Sequence, residues 1–232
     1  VKSDIGLPSI TAKSYESAGM TNSKTRWLNI DEQTDVLTSL LGCSFMIAQV
    51  DQQPAFWKHL IVTMHSALQG AMVCHLSGTA QLGALSEKSI KKTLEWHERD
   101  RRRKTEGGKP KEDSPRDPYP AARLAEAPVL FERLWQEEKQ VEGLGSVLEL
   151  SEEQKTSFAK LHELRNDFSH FTPKGWSIEL NGLPRICLNI LNIIKLIQKH
   201  GWAFRHLDDP SRNQMLTSID EIEDNLSRLA NC

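Results

Sequence analysis

Residues 151–170 read SEEQKTSFAKLHELRNDFSH, and the fold is decided here. Ser151 with Gln154 three places on resembles a capping box, in which the hydroxyl serves an orphan N–H of the first turn and the glutamine amide reaches back. Pro173 disfavours helical geometry in the residue ahead of it, so the spacing predicts a helix that runs to just before that proline. At about 100° per residue, Phe158, Leu161, Leu164, Phe168 and Phe171 fall within a sector of roughly 140° and form the core face. His162, Asn166 and His170, spaced by four, make a polar stripe nearly opposite, with Arg165 at the border and long enough to lean over it.

Outward from this helix the same period recurs. Leu37, Leu41, Phe45 and Ala48 mark one face of a helix from about Asp35 to Val50. Pro54 suits a first helical turn, and Trp57, Ile61, Met64, Leu68 and Met72 continue a second stripe until Gly78. A third helix opens at Ser86 with Ile90 and Leu94, and a fourth carries Leu130, Phe131, Leu134 and Trp135. Residues 176–180 alternate with period two and meet Asn181-Gly182, which predicts a short extended or hairpin piece. Pro184 starts an apolar helix with Ile186, Ile190, Ile193, Ile194 and Ile197, and Ser218 with Glu221 caps a last one carrying Ile222, Leu226 and Leu229. The sum is an all-α bundle of about six helices with almost no strand.

Two segments stand outside this pattern. Residues 1–30 have no apolar period and read as an N-terminal arm, leaving residues 31–232 as a single helical domain. From Glu98 to Pro120 a basic run is followed by Gly107, Gly108, Pro110, Pro115, Pro118 and Pro120, a composition that cannot bury itself and reads as a long loop insertion. The 232 residues, 38% hydrophobic and 26% charged, exclude collagen-like, disordered and coiled-coil chains. A formal charge of −2 excludes a histone-like binder, so any nucleic-acid contact is local. Cys43, Cys74, Cys187 and Cys232 form no CxxC pair, which fits a reducing compartment. No stretch approaches the ~18 consecutive apolar residues of a membrane span, and the expected location is cytoplasmic.

The polar stripe is the constellation with chemistry in it. An imidazole titrates near ~6.5 and exchanges a proton at physiological pH, while an arginine fork donates to phosphate oxygens without losing its charge. That pairing suits cleavage of RNA, whose 2′-hydroxyl is a built-in nucleophile. Such a site needs a proton acceptor, a donor to the 5′-oxygen and positive charge at phosphorus, and no metal. His170 lies in the last helical turn, where the macrodipole favours a cation. A solvated helix face would carry the same residue types, with Arg165 paired to Asp167 or Glu163.

The string Arg165-Asn166-Asp167-Phe168-Ser169-His170 is an R-N-x-x-x-H motif. In an all-α chain it resembles the signature of the HEPN superfamily, named for higher eukaryotes and prokaryotes nucleotide-binding. That resemblance implies a small helical bundle, often a homodimer, in which the motif helices of two protomers form a metal-independent RNA endonuclease site of the toxin or phage-defence type. It would give Arg165 the role of stabilising the phosphorane, His170 that of acid or base, and Asn166 that of orienting the phosphate or the imidazole. It also implies a possible antitoxin or regulatory protein as partner. The match covers about residues 151–200. His162 and Ser169 have no fixed family role and are supporting candidates by position. The two-fold has a physical reason too: one transition state needs an acid and a base, and a second copy supplies the second motif histidine. The alternative is a non-catalytic module of the same type that binds a nucleotide or a partner protein.

Other features are weaker. His59, His65 and His75 are six and ten apart, on different helix faces, so they predict surface histidines and no zinc site. Arg101, Arg102, Arg103 and Lys104 are either a solvated cluster or contacts to RNA phosphates, blunted by Glu98, Asp100 and Glu106. There is no Gly-rich loop followed by Lys-Ser or Lys-Thr, which disfavours an NTPase, and no cofactor is implied.

Overall fold

The computed structural model describes residues 27–105, 118–141, 146–170, 173 and 175–231. The chain divides into two units, residues 1–31 and 32–232, and every helix described belongs to the second. Among the described residues there are seven α-helices: α1 (Glu32–Ile47), α2 (Phe56–Leu76), α3 (Glu87–Thr105), α4 (Ala127–Trp135), α5 (Glu152–Ser169), α6 (Leu183–Lys199) and α7 (Asp209–Ala230). A 3₁₀ turn at Glu137–Lys139 follows α4, and the β pairing among these residues is a lone antiparallel bridge between Leu85 and Leu124. The chain is all-α, as the periodicity predicts.

α2 is the axis of the bundle. It packs against α1, α4, α5 and α6, while α7 closes the outside against α1 and α6. Its centrality follows from composition: Leu60, Ile61, Met64, Ala67, Leu68, Ala71 and Met72 are all fully buried, and with Cys74, His65 and Leu76 the buried face widens to about 200° of the circumference. α1 crosses α2 closely because Gly70 has no side chain. A Cβ there would lie 2.6 Å from Cγ2 of Val36. Cys43, Cys74 and Cys187 are buried free thiols, and burial raises Cys43 and Cys187, the latter to about 12. Cys232 lies outside the described residues.

Several expectations are corrected. α1 buries Val36, Leu37, Leu40, Cys43 and Ile47, whereas Phe45 and Ala48 are exposed; the true stripe lies one position to the side of the one expected. In α3 the inward residues are Ser89 and Thr93, and Leu94 is exposed, because that helix meets no apolar layer. α3 also continues to Thr105, so residues 98–105 are helix, not loop. Arg, Lys and Glu are good helix formers, and Arg102–Glu98 and Lys104–Asp100 pairs at i,i+4 support the final turns. The Gly and Pro residues from Gly107 to Pro115 lie outside the described residues. Residues 176–180 form no hairpin; Ile178 packs on the core and Trp176 lies beside Phe168, their ring centroids 5.1 Å apart. Ser218 caps nothing. The cap of α7 lies ten residues earlier, where Asp208 accepts from the Ser211 N–H at 2.9 Å, and the buried Ser218 hydroxyl donates back to the Gln214 carbonyl.

Candidate functional site

The capping box at Ser151 is formed in full. Its hydroxyl accepts from the Gln154 N–H at 3.2 Å, and its own N–H donates to the Gln154 side chain at 2.9 Å. With the start of α5 fixed, the register of everything beyond it follows. Phe158, Leu161 and Leu164 are buried, Phe168 is half-buried, and Phe171 lies outside the described residues. α5 stops at Ser169, short of the end expected from Pro173, and His170 is its C-cap at φ −112° and ψ 46°. The His170 N–H still donates to the Asn166 carbonyl at 2.8 Å, so it remains one turn above Asn166.

The polar stripe is not a plain solvated face. Its first two members are half-buried and turn toward α2, where a chain of side chains forms. Arg165 Nη1 donates to Asn166 Oδ1 at 2.9 Å; Asn166 Nδ2 lies 3.1 Å from His162 Nε2; His162 Nδ1 lies 3.0 Å from Nε2 of His65 on α2. Directions follow from one fact. A guanidinium only donates, so the Asn166 oxygen must face Arg165 and its amide N–H₂ must face His162. His162 Nε2 therefore accepts, its proton sits on Nδ1, and that N–H donates to His65 Nε2, which places the His65 proton on its own Nδ1. One guanidinium thereby sets an amide orientation and two tautomers.

Electrostatics agree with two neutral rings. Burial pushes His65 down to about 4, helped by the Arg165 charge and by His162. His162 is also lowered, by burial first and Arg165 second, while Glu126 pulls it the other way. Phe158 stacks on His162, with centroids 5.9 Å apart and planes 19° apart.

Arg165 pairs with neither Glu163 nor Asp167 among the described residues. Glu163 is taken by Lys160 at 2.8 Å. The guanidinium keeps donors beyond the one used by Asn166. His170 and Ser169 are exposed, and their side chains form no hydrogen bond among the described residues. Within one chain, then, Arg165, Asn166 and His162 come together and His170 stands on the same ridge without joining them. Arg101, Arg102, Arg103 and Lys104 are far along α3 and exposed, with Arg101 and Arg102 both on Glu98 and Lys104 on Asp100.

His65 is the member that histidine spacing missed, and the expectation of surface histidines is wrong for two of three. His59 is exposed, but His65 and His75 are 2% and 1% exposed, and His75 Nε2 donates to the Ser146 carbonyl at 2.8 Å. The signal for His65 was present. On the helix wheel it lies about 20° from Met72 and about 40° from Ile61, at the edge of the core stripe.

No protein-family model, curated protein or solved structure matches the chain.

Proposed function

We propose that the protein is a metal-independent RNA endonuclease of HEPN type that acts as a homodimer. The observation that carries this reading is the ordered chain Arg165–Asn166–His162–His65. A helix face selected only for solubility would spend Arg165 on a nearby carboxylate; here it is held by an uncharged amide, with its cation available to a phosphate. In the reaction the 2′-hydroxyl attacks phosphorus, the 5′-oxygen leaves with a proton, and a 2′,3′-cyclic phosphate results. Arg165 stabilises the charge that grows on the phosphoryl oxygens. Asn166, fixed by its two hydrogen bonds, orients the guanidinium. His170, exposed one turn on, is the proton-transfer group, and the copy from a second protomer completes the acid–base pair. His162 and His65 are positioning residues, and Ser169 has no step of its own. Toxin or phage-defence activity, with a regulatory protein restraining it, is the setting that the R-N-x-x-x-H motif suggests.

The isolation of His170 from the other motif side chains favours one second reading: a catalytically silent helical module that binds a nucleotide or a protein through Arg165. End-group analysis separates the two. Incubation of the full chain with mixed RNA in excess EDTA is expected to yield fragments ending in 2′,3′-cyclic phosphate and beginning with 5′-hydroxyl. Intact RNA, or 3′-hydroxyl ends, overturns the nuclease reading.

A further inference from the structure

α3 holds eight Lys and Arg against four Asp and Glu within nineteen residues, in a chain whose formal charge is −2. The charges are sorted by face. At about 100° per residue, Lys88, Lys91, Lys92, Arg99, Arg102 and Arg103 fall within roughly 120° of the helix circumference, with Glu95 as the acidic residue among them. All six are exposed. The inward edge is set by Ser89 and Thr93, the buried residues of α3. A helix tuned only for water intersperses opposite charges at i,i+3 and i,i+4. This one also sets like charges at those spacings, Lys88 with Lys91 and Lys92, Arg99 with Arg102 and Arg103, and the paired acids Glu98 and Asp100 stand outside the basic sector. Lys88, Lys91 and Lys92 have no ion pair among the described residues.

The position of the ridge gives it a use. Arg123 joins the base of α3, its N–H donating to Ser89 Oγ at 3.0 Å and its carbonyl accepting from the Ser86 N–H at 2.9 Å. Three residues on, Glu126 stands at the N-cap position of α4, and Phe131 of that helix stacks on Phe158 of α5 with centroids 3.8 Å apart. Three residues span at most about 10 Å, so a short segment ties the base of the ridge to the helix that packs on Phe158, the ring stacked on His162, and the ridge extends from its base for about 22 Å.

We infer that this face of α3 is a rail for the phosphates of a single RNA strand, holding the flank of the strand whose linkage lies at Arg165. The inference rests on the nuclease reading for its choice of RNA, and its test does not depend on cleavage. The probe is a 2′-O-methyl oligouridylate, which has no free 2′-hydroxyl and cannot be cut by this chemistry. Binding to the full chain is measured against salt for wild type, for K88A/K91A/K92A, and for K139A/R185A/K199A, which removes the same charge from exposed positions outside α3. Circular dichroism confirms that all three keep their helices. The rail variant is expected to lose about tenfold in affinity near 0.1 M salt, and its log–log salt slope should fall by about 2, from about 0.7 per phosphate contact. The control should keep the wild-type slope. Equal losses in the two variants, no loss in either, or rail-dependent binding to phosphatidylserine vesicles without oligonucleotide binding would each overturn the rail.

Discussion

Asn166 is where a row of polar contacts acquires direction, because its oxygen is held by a group that cannot accept. His65 ends that row in a place where a charged ring is costly. Its value near 4, against 6.5 for a free histidine, makes a pH prediction. As pH falls from about 6.5 toward 4 the unfolded chain takes up this proton and the folded chain does not, so stability is full above that window and declines through it. The loss from His65 alone is on the order of 3 kcal/mol by pH 4. His65→Gln keeps an acceptor for the His162 N–H but cannot titrate, so its melting temperature should fall less than that of wild type between pH 6.5 and 4.5. Parallel pH curves for the two proteins would show that His65 is not the neutral terminus described. The same residue marks a limit of spacing arguments. Distances between histidines placed them on separate faces, correctly, but the neighbours Ile61, Met64, Leu68 and Met72 decide that His65 points inward.

At the scale of elements, the legible features were those written in local sequence. The Ser151–Gln154 box, the apolar stripe of α2 and the Pro184 start of α6 all stand where the sequence puts them. Misread features depended on what a helix meets. Phe45 and Leu94 fit a helical period but find no layer to cover them, and Ser218 with Glu221 has the letters of a capping box inside a helix already under way. Residues 98–105 misled by composition alone, since the Gly and Pro beyond them coloured a run of good helix formers. Gly70 supplies the element-scale prediction. In an exposed helix interior Gly→Ala stabilises by about 1 kcal/mol, but here the methyl group meets Val36 on the closest helix pair. Gly70→Ala is expected to lower stability by about 1–3 kcal/mol in urea unfolding, and Gly70→Ala with Val36→Ala to recover part of it. A stabilised single variant would contradict the close crossing of α1 and α2.

For the whole molecule, an all-α bundle around α2 was legible because helices dominate the periodicity and no apolar alternation competes with it. The site was legible in part: Arg165, Asn166 and His162 share a ridge as the wheel suggests, yet their turn toward α2 is a tertiary fact that one helix cannot announce. Among the described residues no helix is long and apolar enough to cross a membrane. The proposed activity needs two protomers, so sedimentation equilibrium of the full chain should return twice 26.3 kDa at the concentrations where RNA is cut. Strictly monomeric behaviour under those conditions would leave each chain with half of an acid–base pair. The most direct measurement is the rate of cleavage of a defined RNA in excess EDTA by wild type and by His170→Ala, an exposed substitution that leaves the core untouched. The account predicts a wild-type rate lowered by at least about a hundredfold in the variant with an unchanged melting temperature; equal rates, or no cleavage by either protein, would contradict it.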